Sequence, residues 1–123
     1  MHELSICQSL LRQAERVAAE HGSSEVTGIV VAVGPLSGVE GSLLARAFEV
    51  ARAGTIAEGA ELAIETMPVV VFCEACGIDT VVKPNALLCR GCGTWRVRLR
   101  SGDELLLKSL ELTRADEPAI AAG

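Results

Sequence analysis

The chain has 123 residues, half of them apolar and only 2% aromatic, and carries a formal charge of −5. That length suits one domain, or one small domain with an appendage, and with Phe48, Phe72 and Trp95 as the only aromatics the core must be aliphatic. An acidic balance argues against a general phosphate-backbone binder, and no apolar run nears the ~20 residues that span a bilayer, so neither nucleic acid nor membrane is an expected partner.

Residues 1–20 read as an amphipathic helix. Leu4, Cys7, Leu11, Ala14 and Ala18 recur at three- and four-residue spacing, widened by Leu10 and Val17. Gly22 is placed to end it, and His21 suits the negative end of the helix dipole. Residues 25–34 are β-rich through Ile29, Val30, Val31 and Val33, and Gly34-Pro35 breaks the strand. Ser37-Gly38-Val39-Glu40 fits a capping box. A second helix is expected from there to about Ala53, burying Leu43, Leu44, Ala47, Phe48 and Ala51 and stopped by Gly54. Residues 60–65 alternate as a strand does, with Ala60, Leu62 and Ile64 on one face. Pro68 marks a junction, and residues 103–112 form a last, leucine-rich strand candidate.

Between these strands lie Cys73-Glu74-Ala75-Cys76-Gly77 and, after twelve residues, Cys89-Arg90-Gly91-Cys92-Gly93. Two residues between cysteines let one tight turn aim both sulfurs at a single ion, and the glycine after each pair takes positive φ without steric cost. Four thiolates leave no open coordination position, so structural Zn²⁺ on Cys73, Cys76, Cys89 and Cys92 is the default reading. Cys7 falls on the apolar helix face and reads as core. Cysteine usage of this kind, with no basic-then-apolar leader, suits a reducing compartment, and the cytoplasm is expected.

The expected fold is therefore α+β. Two helices lie on a three-stranded sheet formed by residues 1–68 and 101–123, and a four-cysteine zinc module, residues 69–100, is inserted before the last strand. The last strand has no other core nearby and should return to the first two. The module is too small to hold itself by apolar burial alone, so bound metal should stabilise it.

The second concentration of metal chemistry is Met1-His2-Glu3. A histidine at position two sets its imidazole within chelating reach of the Met1 α-amine and of its own amide nitrogen. Fused small rings of nitrogens favour a planar site, which suits Ni²⁺ or Cu²⁺ over tetrahedral Zn²⁺. Met1-His2-Glu3-Leu4-Ser5-Ile6 resembles the opening of the hydrogenase-maturation nickel metallochaperones, the HypA/HybF family. The resemblance continues through Val33-Gly34-Pro35-Leu36-Ser37, Ala47-Phe48, Gly59-Ala60-Glu61-Leu62, Ile64-Glu65, both cysteine pairs and residues 104–112. It implies Ni(II) on His2, the Met1 amine and the backbone nitrogens of His2 and Glu3, with structural Zn(II) on the four cysteines. It also implies hand-over to a maturation GTPase of the HypB type and on to the large subunit of a [NiFe]-hydrogenase. Some relatives also feed urease maturation through its accessory proteins.

Two other readings of the residues stay open at this level. A zinc-ribbon nucleic-acid or transcription accessory module could use Arg96, Arg98 and Arg100, which alternate along one strand face, although no aromatic platform accompanies them in sequence. A rubredoxin-like iron–thiolate electron carrier is the other, because paired knuckles also hold iron. Nothing pairs a nucleophile with a base or cradles a phosphate, so no enzyme is expected. Monomer and homodimer both fit.

Overall fold

The computed structural model describes residues 2–113. Its elements, in chain order, are α1 (His2–Glu20), β1 (Val26–Val33), α2 (Gly41–Ala51), β2 (Glu61–Thr66), β3 (Val69–Cys73), β4 (Ile78–Val82), β5 (Val97–Ser101) and β6 (Leu105–Leu112). Among the described residues the chain forms two compact units, one from 2–31, 40–63 and 107–113, the other from Ala32–Val39 and Ile64–Leu106. No described helix is long and apolar enough to cross a membrane.

In the first unit the apolar stripe of α1 is buried as its spacing requires. Cys7, Leu10, Leu11, Ala14 and Ala18 all lie in the core, and α1 packs on α2, where the Cys7 thiol donates to the Leu44 carbonyl at 3.5 Å. His21 Nδ1 lies 2.9 Å from the Val17 carbonyl at the helix end, as its position predicts. The sheet order is β2-β1-β6, so the last strand does return to the first two. Thr113 donates its N–H to the Glu25 carbonyl while the Thr27 hydroxyl reaches the Glu111 carbonyl, so β6 runs opposite to β1.

Two local expectations need correction. Ser37 and Glu40 do not form a capping box. The Ser37 hydroxyl accepts from Val39 N–H at 3.2 Å, a turn completed by Gly38 at φ +81, and the helix starts only at Gly41 with Glu40 as an N-cap that makes no side-chain cap bond. The buried face is also narrower than the spacing predicts. Leu44 and Phe48, four apart, are in the core, whereas Leu43 is 41% exposed at the stripe's edge and Ala47 and Ala51 are half-buried.

The second unit contains an antiparallel sheet of its own, in the order β4-β3-β5, that the cysteine pattern had concealed. Val69, Val71 and Val82 share one face and form its core with Leu36 and Val97 packed against them. Beside them Gly34 N–H donates to Glu104 carbonyl at 2.8 Å and Leu36 N–H to Gly102 carbonyl at 2.7 Å. The backbones approach so closely that a Cβ on Gly34 would lie 2.1 Å from the Gly102 carbonyl oxygen. The Glu104 carboxylate holds this crossing by accepting from Ser101 Oγ at 2.6 Å and Gly102 N–H at 2.8 Å, which delays β6 to Leu105. Those two donors and its own backbone N–H, the Ser101 hydroxyl foremost, hold the Glu104 carboxyl below its usual range.

Candidate metal centres

The first cysteine pair sits where β3 turns into β4, and the second lies in the loop between β4 and β5. Each pair folds the same way. Gly77 N–H donates to Cys73 carbonyl at 2.7 Å and Gly93 N–H to Cys89 carbonyl at 2.8 Å, with φ of +69 and +75 at the two glycines. Backbone amides also point at sulfur: Cys76 N–H lies 3.4 Å from Cys73 Sγ and Gly91 N–H 3.3 Å from Cys89 Sγ. Cys73 and Cys89 are buried while Cys76 and Cys92 are exposed.

The four sulfurs all lie within 4.8 Å of one another. Cys73 and Cys92 are 3.7 Å apart, and Cys76 and Cys89 3.8 Å, too far for disulfides. A tetrahedral ion with bonds of ~2.3 Å needs sulfur–sulfur edges of about 3.8 Å. The donor set therefore fits one closed, four-coordinate thiophilic ion. Electrostatics agree. The Cys89 thiol is pulled down to about 6, first by the Cys92 backbone N–H and then by that of Gly91. Cys76 is pushed up to about 12 by hydrogen bonds with Cys92, Cys89 and Cys73. Without a cation the cluster accommodates one thiolate readily and resists the next.

The alternating arginines are engaged beside this centre. Arg98 pairs with Glu74 at 3.1 Å and Arg100 with Asp79 at 3.2 Å. Both lie over the Phe72 ring, at 5.9 and 4.5 Å from its centroid, and Arg96 lies 5.4 Å from that of Trp95. Phe72 is an aromatic surface that sequence spacing missed, because it reaches the arginines across the β3–β5 pairing rather than along the chain. Arginine covers it, which leaves little of it for a nucleic-acid base.

At the other sequence-derived centre, α1 begins at His2, and Met1 lies outside the described residues. The His2 side chain is 62% exposed, and its Nε2 stands 3.4 Å from Oε2 of Glu3, whose side chain is 11% exposed. The Glu3 carboxyl is held below its usual range, chiefly by a hydrogen bond from its own backbone N–H, with burial opposing and His2 assisting.

A family model described as hydrogenase/urease nickel incorporation, metallochaperone, HypA matches residues 1–112. The hydrogenase maturation factor HypA of Nitrosospira multiformis is 50% identical over 112 residues, covering 91% of this chain and 97% of the relative. That of Aquifex aeolicus is 45% identical over 112 residues, again 91% and 97%. The solution structure of the nickel metallochaperone HypA from Helicobacter pylori superposes with a TM-score of 0.70 at 27% identity, covering 91% of this chain and 97% of that one. With its α+β fold and four-cysteine cluster, this chain belongs to the HypA family of nickel metallochaperones for hydrogenase and urease nickel incorporation.

Proposed function

We propose that this chain carries Ni(II) at its amino end, on the Met1 α-amine, the His2 imidazole and the backbone nitrogens of His2 and Glu3. It passes the ion to a maturation GTPase of the HypB type and on to a [NiFe]-hydrogenase large subunit, with urease accessory proteins as further recipients. The four cysteines hold a permanent Zn(II) that cross-links the two knuckles, and the chain works in the cytoplasm as a carrier and not a catalyst.

The observation that carries this reading is the exposed His2 at the first residue of α1. The first amides of a helix have no intrahelical acceptor, so the N–H groups of His2 and Glu3 can lose their protons to solvent and bind a metal through nitrogen without breaking the helix. Coordination through Nδ1 closes a six-membered ring with the His2 amide nitrogen and leaves Nε2 where the Glu3 carboxylate stands. Nitrogen donors in that arrangement suit a square-planar d⁸ ion. Because the amides must lose protons, binding is reversed by acid, as a carrier requires.

The test is calorimetric titration of Ni²⁺ into the zinc-loaded chain with Met1 unblocked. His2→Ala should abolish specific nickel binding while zinc stays near one per chain. One residue added before Met1 should weaken binding, because it moves the amine away. Equal nickel affinity in His2→Ala and the native chain refutes the cargo site. An oxidised preparation that is red would assign the cysteines to iron.

A further inference from the structure

β4 is an edge strand. Its inner side pairs with β3 from Ile78 to Val82, and no backbone hydrogen bond takes up its outer side among the described residues. At the end of that strand lies a hollow of about 450 Å³ lined by Val81, Val82 and Lys83 and, from the loop that follows, by Ala86, Leu88, Arg90 and the knuckle residues Cys89 and Gly93. Successive strand residues point to opposite faces, so a hollow reached by Val81, Val82 and Lys83 together follows the edge and end of the strand rather than one face. Its apolar wall is open to solvent, with Val81 57% and Leu88 44% exposed.

The charge here is one-sided. Among the described residues Lys83 and Arg90 sit at the hollow with no ion pair and no acidic side chain lines it, whereas Arg98 and Arg100 on the same unit are matched to carboxylates. Unpaired strand edges are templates for strand addition, and natural edges are usually blocked by a charge or a proline. The outer edge of β4 from Ile78 to Val82 carries no proline, and its one charge, Asp79, is already held by Arg100 at 3.2 Å; Lys83 and Pro84 follow only at the strand's end.

We propose that the β4 edge is a docking site for an extended segment of a partner protein whose apolar side chains fill the hollow and whose flanking carboxylates meet Lys83 and Arg90. Backbone pairing with β4 supplies the affinity, and the two cations set the required charge. A second copy of this chain is a poorer occupant. The only carboxylate that another β4 offers is Asp79, which Arg100 occupies. The inference does not depend on where nickel binds.

The experiment titrates three synthetic peptides into the zinc-loaded, ¹⁵N-labelled full chain and follows its amide resonances. The first carries Leu-Val-Leu between glutamates, the second the same core between lysines, and the third is the first with alternate backbone nitrogens methylated. The acidic peptide should shift amides within residues 78–93, weaken about fivefold in the double variant Lys83→Gln, Arg90→Gln, and weaken again as salt is raised. The lysine and N-methylated peptides should leave those amides in place. Both substitutions are on exposed side chains, and retained zinc with an unchanged spectrum elsewhere establishes that the variant is folded. Equal shifts from the acidic and lysine peptides, shifts lying elsewhere, or equal binding by the N-methylated peptide would overturn the proposal. Concentration-dependent shifts of the same amides with no peptide present would assign the edge to a second copy and overturn the partner assignment.

Discussion

Adding zinc to the reduced, metal-free chain at pH 7 should release about three protons. The number follows from the sulfur geometry. Cys76 and Cys89 lie 3.8 Å apart, so a thiolate on one opposes ionisation of the other. Hydrogen bonds with Cys92, Cys89 and Cys73 favour the protonated Cys76 thiol and push it up to about 12. Cys89, pulled down to about 6, is the thiol that already carries a negative charge near neutral pH. Binding a dication deprotonates the rest, so apparent affinity should climb about a thousandfold per pH unit around neutrality. The sign is fixed by Cys89. Its folded value lies below its ordinary one, so the stabilisation it gives the metal-free fold is present at higher pH and is lost as pH falls through about 6. Calorimetry in two buffers of different protonation enthalpy counts the protons directly. A release near four would mean that the metal-free cysteines behave as in an unfolded chain, where all four thiols stay protonated at pH 7. A release near one would mean that thiolates are not the ligands. Either result refutes the argument.

Other perturbations have equally definite outcomes. Gly34→Ala forces a Cβ against backbone at Gly102, which has no flexible side chain to move aside, and disrupts the hydrogen bonds of Gly34 and Leu36; it should cost about 3 kcal/mol or more in chemical denaturation. Gly59→Ala, with nothing within 4 Å of the new Cβ, is its control and should change stability little. Leu44→Ala removes a side chain that is 0% exposed between the helices, and should cost about 2–5 kcal/mol with the urea m-value unchanged. Gly93→Ala imposes a left-handed conformation, φ +75, on a residue with a Cβ. It should cost about 1–2 kcal/mol and hasten zinc loss to a chelator.

What sequence revealed depended on whether a feature is local. The α1 stripe, the β1 run of Ile29 to Val33 and the strand phase of Leu62 and Ile64 all follow from side-chain periodicity, and each is found where that period puts it. The cysteine cluster was legible for a related reason: each knuckle closes within five residues, so spacing nearly fixes geometry. Features made by distant strands were not. The sheet of β3, β4 and β5 pairs Val69 with Val82 and Val71 with Leu99, and neither pairing leaves a mark in either segment alone. Ser37 misled because its hydroxyl found a nearer amide, at Val39, than the helix could offer. Short polar side chains serve turns as readily as caps.

The two metal positions differ in what must happen for an ion to leave, and on the proposed reading that difference is what makes a carrier. At the cysteine cluster four sulfurs surround one point, two of them buried. A departing ion would strand like charges within 4.8 Å of one another, so loss requires simultaneous protonation or unfolding of the knuckles. In the proposed site at His2 the donors beyond the imidazole are the Met1 amine and helix-end amides, each of which regains its proton singly and leaves the helix intact. Release there is stepwise, and an incoming ligand from an acceptor can replace one nitrogen at a time. Exchanging the chemistries should exchange the behaviours. Replacing one exposed ligand, Cys92→Ser, should turn the cage into a site that a chelator strips within minutes, while nickel release from the native amino end should follow the pH of the medium. If zinc in Cys92→Ser is held as tightly as in the native chain, closure by four thiolates is not what retains it, and the contrast between resident and cargo ion loses its physical basis.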